Sequence, residues 1–300
     1  MGQRQQAWGL TLSSSVKPVI DLTGKVAIVT GGSAGIGGAC IRKLSALGAH
    51  AVVADVDVQK GEAIVRELLD DGGSAAFVKT DILVETQIAA LVNQVVQDFG
   101  GVDILINSAG IPRTIAPDSE VINVDTHHWN TTIAGHLTAT MLTAKYSLPH
   151  MIAGGGGSIV NVSSLSSQHA TMDLSAYSAA KAGVNQLTKE IAATYGRDNI
   201  RCNAVVPGAV LTERGRKTMG QEMFQLFADE TPLPRLADAE DLADAILFFV
   251  SDMSSMISGQ SLVVDGGMMT KLPYWRPKMQ ASRGQEFDDA AAKYQPLDEE

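Results

Sequence analysis

The chain has 300 residues, 45% of them apolar and 19% charged, enough to build a large buried core and too few charges for a disordered polyelectrolyte. Acidic residues outnumber basic ones by 33 to 23, for a formal charge of −10, which argues against a nucleic-acid partner held through phosphates. Cys40 and Cys202 cannot form a disulfide framework, no spacing suggests a metal site, and both are expected as small buried hydrophobes. The N-terminal stretch has no long apolar run, and the longest one in the C-terminal half, Ala245–Val250, is too short for a bilayer. These features predict a soluble, cytoplasmic protein with no membrane partner.

In chain order, residues 25–30 (KVAIVT) form an apolar run that meets a glycine cluster, followed by helical spacing at Ile36, Cys40, Leu44 and Leu47. Short apolar runs recur at 51–54, 75–78, 102–106, 158–162, 200–206 and 261–264, with 3.6-residue periodicity over 86–98, 131–148, 176–195 and 238–250. Strands without polar alternation are buried on both faces, and their alternation with helices implies a parallel sheet covered on both sides. The expected fold class is α/β: one doubly wound domain over 22–270, with an N-terminal arm at 1–21 and an extension at 271–300. The extension holds five basic and six acidic residues and three prolines, so it is expected as a solvated or partly ordered arm. Tyr274 and Trp275 would let it dock on the body or on a neighbouring subunit.

After the first strand, Gly31 suits a tight turn, Gly35 lets the backbone approach a pyrophosphate, and Gly37 allows close helix–strand packing. The following helix N-terminus presents free N–H groups to phosphates. The second strand ends at Asp55, 18 residues beyond Gly37, where a carboxylate accepts hydrogen bonds from ribose hydroxyls and repels a 2′-phosphate. With no Arg or Lys at 32–34 or 56, the expected cofactor is NAD rather than NADP.

With these motifs the chain resembles the short-chain dehydrogenase/reductase family over about residues 22–270. The resemblance rests on Thr30-Gly31-x-x-x-Gly35-Ile36-Gly37, Asp81, Asn107-Ser108-Ala109-Gly110, and Tyr177-Ser-Ala-Ala-Lys181 with Ser164 13 residues upstream. Pro207-Gly208-Ala-Val210-Leu-Thr212 and Ser258-Gly259-Gln260 through Asp265-Gly266-Gly267 complete it. It implies a Rossmann fold, an NAD cofactor, an alcohol or ketone substrate and a homotetramer. Ser33 falls within the implied cofactor loop, and Asp81 would contact adenine. Ile36, Ala109 and Gly110 would line the nucleotide path, and Asn107 would support the sheet and the adenosine half. Pro207 and Gly208 would shape the nicotinamide wall, Val210 would bind the carboxamide through its backbone, and Thr212 would contact carboxamide or phosphate.

Tyr177 and Lys181 stand one helical turn apart, so both emerge on one face. A nearby ammonium is expected to lower the phenol's pKa so that Tyr177 acts as general acid or base, with Ser164 holding the substrate oxygen. Lys181 would also bind the nicotinamide ribose. One departure stands out: seven residues after Trp129, where the family usually has an Asn that holds a relay water, the chain has His136. His136 is read either as a titrating relay, with an ionisation near about 6.5, or as a space-filling residue. Asn130 is the relay candidate under another register.

Met219, Met223 and Phe227 recur at helical spacing beside Phe224 and Leu226, a soft apolar face that would make a lid over an apolar substrate. His169 and Arg113 stand where they would reach polar groups of it. The function expected is interconversion of a secondary alcohol and a ketone on an apolar, ring-bearing or steroid-like compound. A catalytically idle nucleotide-binding regulator and a ketoacyl reductase of fatty-acid metabolism are the alternatives. The intact Ser164–Tyr177–Lys181 set counts against the first, and Asp55 against the second.

Overall fold

The structure, a computed structural model, describes residues 20–284. Apolar runs become strands and periodic segments become helices in strict alternation. β1 (Val26–Thr30), α1 (Gly35–Ala46), β2 (His50–Asp55), α2 (Val58–Asp70), β3 (Ser74–Lys79), α3 (Glu85–Phe99) and β4 (Ile104–Asn107) form the first half. In the second half α4 (Thr126–Ile133) runs through a π-helical turn, Ala134–Thr138, into α5 (Ala139–Ala153). Then come β5 (Gly157–Val162), α6 (Ser175–Tyr195), β6 (Ile200–Pro207), β7 (Val210–Leu211), α7 (Glu213–Glu230), β8 (Ala237–Asp238), α8 (Ala239–Val250), β9 (Ser261–Val264) and α9 (Trp275–Arg283).

Seven strands pair in parallel in the order β3-β2-β1-β4-β5-β6-β9, while β7 and β8 form a small ladder of their own. Val29, Val53 and Val205 point to one face, where they pack with α1, α2 and α8 through Ile41, Leu44, Leu68 and Ile246. Ile28, Leu105 and Ile159 point to the other, against α3, α5 and α6. Burial on both faces is why the strands lack polar alternation. The strand order reverses between β1 and β4, and in such sheets ligands bind outside the carboxyl ends of the strands at that switch.

Both cysteines are fully buried and free, and burial pushes the Cys202 thiol up to about 12. No helix among the described residues is long and apolar enough to cross a membrane. The C-terminal extension differs from a wholly solvated arm, since 275–283 is helical and tied to the end of α7. Arg276 reaches Asp229 at 2.5 Å, Lys271 pairs with Glu230, and the Lys271 ammonium stands 5.2 Å from the centroid of the Trp275 ring. Tyr274 stays exposed. The N-terminal arm, except Ile20 and Asp21, and the extension past Gly284 lie outside the described residues.

Candidate active site

The carboxyl ends of β1, β2, β4, β5 and β6 bring the motif residues to one rim. At the end of β1, Gly31 (φ 68°) and Gly35 (φ 54°) adopt left-handed backbone that side chains resist. A β-carbon on Gly37 would lie 2.2 Å from the Gly31 carbonyl oxygen, and one on Gly31 would lie 2.9 Å from Ala109 Cα. The loop therefore keeps a bare backbone cradle at the start of α1, the shape and partial charge that a diphosphate requires. Ile36 turns partly toward the α1–α8 core instead of wholly into the groove.

Asp55 stands at the end of β2, beside the glycine loop. Its Oδ2 accepts from Ser33 N (3.2 Å) and Ser33 Oγ (2.6 Å), and its Oδ1 accepts from Asp57 N (3.1 Å). Ser33 thus meets the carboxylate expected to bind ribose, and its rotatable hydroxyl can yield to another donor. Asp81 lies just past the end of β3, where its Oδ1 accepts from Leu83 N at 2.9 Å. The bare loop and the waiting carboxylate fit a dinucleotide.

Asn107 is buried in a network beneath this surface. Its Nδ2 donates to Asn161 Oδ1 at 2.9 Å, and its Oδ1 accepts from Thr143 Oγ1 at 2.7 Å, which joins β4 to β5 and α5. Ala109 N donates to Thr30 Oγ1 at 3.3 Å, which holds the β4 loop against β1. Beyond β6, Gly208 packs on Asp265, where a β-carbon would come to 3.0 Å. Val210 joins the β7–β8 ladder through its backbone. Thr212 caps α7, its Oγ1 accepting from Gly215 N at 3.0 Å, while its methyl faces Gly35.

Ser164, just past β5, gathers Ser166 N (3.3 Å) and Ser166 Oγ (2.9 Å) on its hydroxyl and also hydrogen-bonds the Tyr177 phenol. Tyr177 keeps some exposure to the cleft, yet its phenol is deep enough that burial raises its pKa, with the Ser164 bond pulling the other way. Lys181 is buried, and its Nζ donates to the Val162 carbonyl at 2.7 Å, 5.7 Å from the tyrosine ring centroid. Burial brings that ammonium down to about 8. The expected lowering of the phenol by lysine is therefore outweighed here, because the backbone carbonyl engages the ammonium and desolvation dominates the phenol.

His136 lies on the π turn, only 7% exposed, with its ring edge-on to Tyr177 at 5.0 Å between centroids. Its Nδ1 is buried without a hydrogen-bond partner. Burial first, then the charges of Lys181 and Arg214, bring its pKa down to about 3, against a hydrogen bond to the Ile111 backbone. The expectation of an imidazole titrating near neutrality is thus corrected: the ring is neutral throughout the working range. Asn130 is exposed on α4, whereas His136 meets Tyr177.

Two neighbours, Asp118 and Arg214, escaped sequence reasoning. Asp118, buried in the β4–α4 loop, accepts from Ala176 N (3.1 Å) and Tyr177 N (2.7 Å), capping α6 from outside. Gly110 lies against the His136 ring, and Arg214 Nη1 donates to the Gly110 carbonyl at 3.1 Å. A buried acid upstream of the helix was the one signal available for Asp118. Of the residues offered to the substrate, Arg113 is ion-paired with Asp173 at 3.0 Å, and His169 is exposed. Along α7, Phe224 is buried while Met219, Met223 and Leu226 are exposed, so the apolar face is split and not continuous. The split follows a break at Gly220 (φ 71°, ψ 162°).

A family model described as enoyl-(acyl carrier protein) reductase matches residues 31–269. A cis-4-hydroxycyclohexanecarboxylate dehydrogenase of Sinomonas cyclohexanicum is 41% identical over 243 residues, covering 81% of this chain and 96% of that one. A 7α-hydroxysteroid dehydrogenase of Bacteroides fragilis is 33% identical over 251 residues, 83% of this chain and 96% of that one. Among solved structures, a 7α-hydroxysteroid dehydrogenase complexed with NADH and 7-oxo glycochenodeoxycholic acid superposes with a TM-score of 0.79. That structure is 31% identical and covers 82% of this chain and 95% of its own. The chain belongs to the short-chain dehydrogenase/reductase family, whose members are nicotinamide-dependent oxidoreductases acting on CH–OH groups.

Proposed function

We propose that this protein is an NAD-dependent secondary-alcohol dehydrogenase acting on ring-bearing, largely apolar substrates. The observation that carries the reading is the meeting of Ser164, Tyr177 and Lys181 at the end of β5, beside a bare glycine cradle. The relatives named for cyclohexanecarboxylate and steroid substrates support a ring-bearing alcohol.

When bound, the nicotinamide supplies the hydride acceptor. Gly31, Ser33, Gly35, Ile36 and Gly37 would hold the diphosphate side, and Asp55 and Asp81 the adenosine side. Asn107, Ala109, Gly110, Pro207, Gly208, Val210 and Thr212 would frame the nicotinamide half. Ser164 donates to the substrate oxygen and fixes it beside the phenol. Tyr177 takes the hydroxyl proton during oxidation and returns it during reduction. Lys181 offsets part of the burial cost of the phenolate with its positive charge and would bind the nicotinamide ribose. His136 stands neutral beside this pair, and its unpartnered Nδ1 would accept a hydrogen bond there without itself changing charge.

Asp55 carries the choice of NAD: it would face a 2′-phosphate with like charge. A panel of cyclic and linear secondary alcohols, run with NAD and NADP at 340 nm, tests the reading. NADH formation with NAD, its loss in Tyr177→Phe with NADH binding kept, and a shift toward NADP in Asp55→Ala are expected. Equal efficiency with both cofactors would remove the role of Asp55. The assembly implied by the family resemblance is a homotetramer, which light scattering on the purified protein tests.

A further inference from the structure

We propose that Asn185 is a positioning residue for the reaction: through Ser167 it fastens the turn that follows Ser164, and so sets where the serine hydroxyl stands relative to Tyr177. This inference rests on the alcohol-dehydrogenase reading above and adds to that site a residue that acts through another side chain.

Ser164 occupies a junction. It is extended (φ −164°, ψ 155°) between the end of β5 and a 3-10 turn, Leu165–Ser167, so its hydroxyl is aimed by whatever holds the chain on either side. On the β5 side, Ser163 N donates to the Val205 carbonyl at 2.8 Å, and Ser163 Oγ donates to the Lys181 carbonyl at 3.3 Å. On the turn side, Ser167 Oγ donates to the Ser164 carbonyl at 2.6 Å and accepts from Asn185 Nδ2 at 2.7 Å. Helix α6 therefore grips the chain both before and after Ser164, and the second grip runs through Asn185.

Tyr177, Lys181 and Asn185 follow one another at i, i+4 and i+8, one stripe of the helix. The stripe presents a phenol to Ser164, an ammonium to the Val162 carbonyl at 2.7 Å, and an amide to Ser167. The helix that carries the phenol thus also ties the turn, so phenol and serine hydroxyl share one frame.

As a packing element the amide is a poor choice. Its Oδ1 is buried and has no hydrogen-bond partner among the described residues. A buried acceptor left unpaired opposes folding, so an apolar side chain of similar size would serve the core at least as well. What an apolar side chain lacks is the Nδ2 donor. The Ser167 hydroxyl has one proton, already given to the Ser164 carbonyl, and the amide is the donor that fills a lone pair and fixes its rotation.

Wild type, Asn185→Leu, Ser167→Ala, the double variant and Ser167→Thr are compared with NAD and cis-4-hydroxycyclohexanecarboxylate, or the best alcohol of the panel above. Single-turnover NADH formation reads the hydride step, steady state gives kcat and KM, fluorescence gives NADH affinity, and thermal unfolding gives Tm. Asn185→Leu should slow the single turnover roughly ten- to thirtyfold, with KM and NADH affinity within about twofold of wild type. Its Tm should equal or exceed that of wild type, because the orphaned oxygen goes with the amide. Ser167→Ala should slow the step at least as much, and the double variant no more than Ser167→Ala alone, since both act along one path. Ser167→Thr, which keeps the hydroxyl, should retain most of the rate. A folded Asn185→Leu enzyme with the wild-type rate overturns the inference and leaves the dehydrogenase reading intact. Losses that multiply in the double variant, or a slower step matched by a fall in Tm or in NADH affinity, overturn it as well and assign Asn185 to the packing of α6. No NADH from wild type with any alcohol of the panel overturns the dehydrogenase reading and the inference together.

Discussion

A β-carbon on Gly110 would fall 2.5 Å from Cε1 and 2.8 Å from Nδ1 of His136, so the histidine on the π turn and the glycine of the β4 loop are fitted to each other. The imidazole fills the space that a side chain at 110 would claim. Gly110→Ala should therefore destabilise the fold by about 1–3 kcal/mol, the range for overpacking a dense interior, and reduce turnover by displacing the ring from Tyr177. Combining it with His136→Asn, whose shorter amide retreats from the β-carbon, should recover most of the loss in thermal unfolding. A Gly110→Ala protein as stable as wild type would contradict the contact.

The same ring makes stability depend on acidity. Its folded pKa is about 3 against about 6.5 in the unfolded chain, so the unfolded state binds more protons between those values. Stability is complete above about 6.5 and falls as pH drops toward 3, because unfolding lets the ring protonate. Over two pH units, from 6.5 to 4.5, the loss should reach about 2 kcal/mol in wild type and be absent from this source in His136→Asn. Denaturant melts of the two proteins at pH 7 and 4.5 measure the difference. The pH–rate profile should show no inflection near 6.5 from His136, and one that vanished in His136→Asn would restore the titrating relay.

Asp118 holds α6, the helix of Tyr177 and Lys181, by its backbone. Its two carboxylate oxygens accept from Ala176 N and Tyr177 N, donors that the start of α6 would otherwise leave unpaired. Asp118→Ala should cost about 1–2 kcal/mol, as for loss of a helix cap, and lower kcat more than it raises KM because the phenol moves with its own backbone. Asp118→Asn should recover part of the cap, since its amide offers one acceptor for two donors. Unchanged kcat in a folded Asp118→Ala enzyme would remove this positioning role.

The sheet was legible because its strands are continuous apolar runs and its helices keep a 3.6-residue period, so β1 through β6 and β9 fall where the pattern puts them. Motif spacing found Ser164, Tyr177 and Lys181, whose nearness follows from one helical turn and one strand end. What it missed depends on three-dimensional juxtaposition: Asp118 acts from a loop 59 residues before Tyr177, and Arg214 reaches Gly110 across 104 positions. The π turn left no periodic trace, since five residues are too few to shift a pattern. The pKa directions were misjudged for a related reason. Sequence shows which charge stands near a group, but burial decides at Tyr177 and His136, and burial is a property of the folded surroundings.

The split helix α7 yields the final prediction. It is fastened at its start by Glu213 to Lys60 and by Arg214 to Gly110, and at its end by Asp229 to Arg276 and Glu230 to Lys271. Between these ties stands Gly220, at φ 71° and ψ 162°, a region open almost only to glycine, with nothing within 4 Å of a β-carbon placed there. The middle of α7 is thus hinged by backbone and anchored to the core by Phe224, which is 5% exposed. Trypsin should cut the free enzyme near Arg216 and Lys217, and cutting should fall when cofactor and a ring alcohol are both bound. The partly buried ties at the far end should each contribute up to about 1 kcal/mol. Lys271→Ala with Arg276→Ala should then raise cleavage in the free enzyme several-fold while leaving global unfolding nearly unchanged, because the ties restrain α7 and the sheet core does not depend on them. Gly220→Ala should act in the same direction by straining the hinge. Cleavage that ignored both the ligands and the tail substitutions would make α7 an ordinary packing helix, and the C-terminal helix an ornament on it.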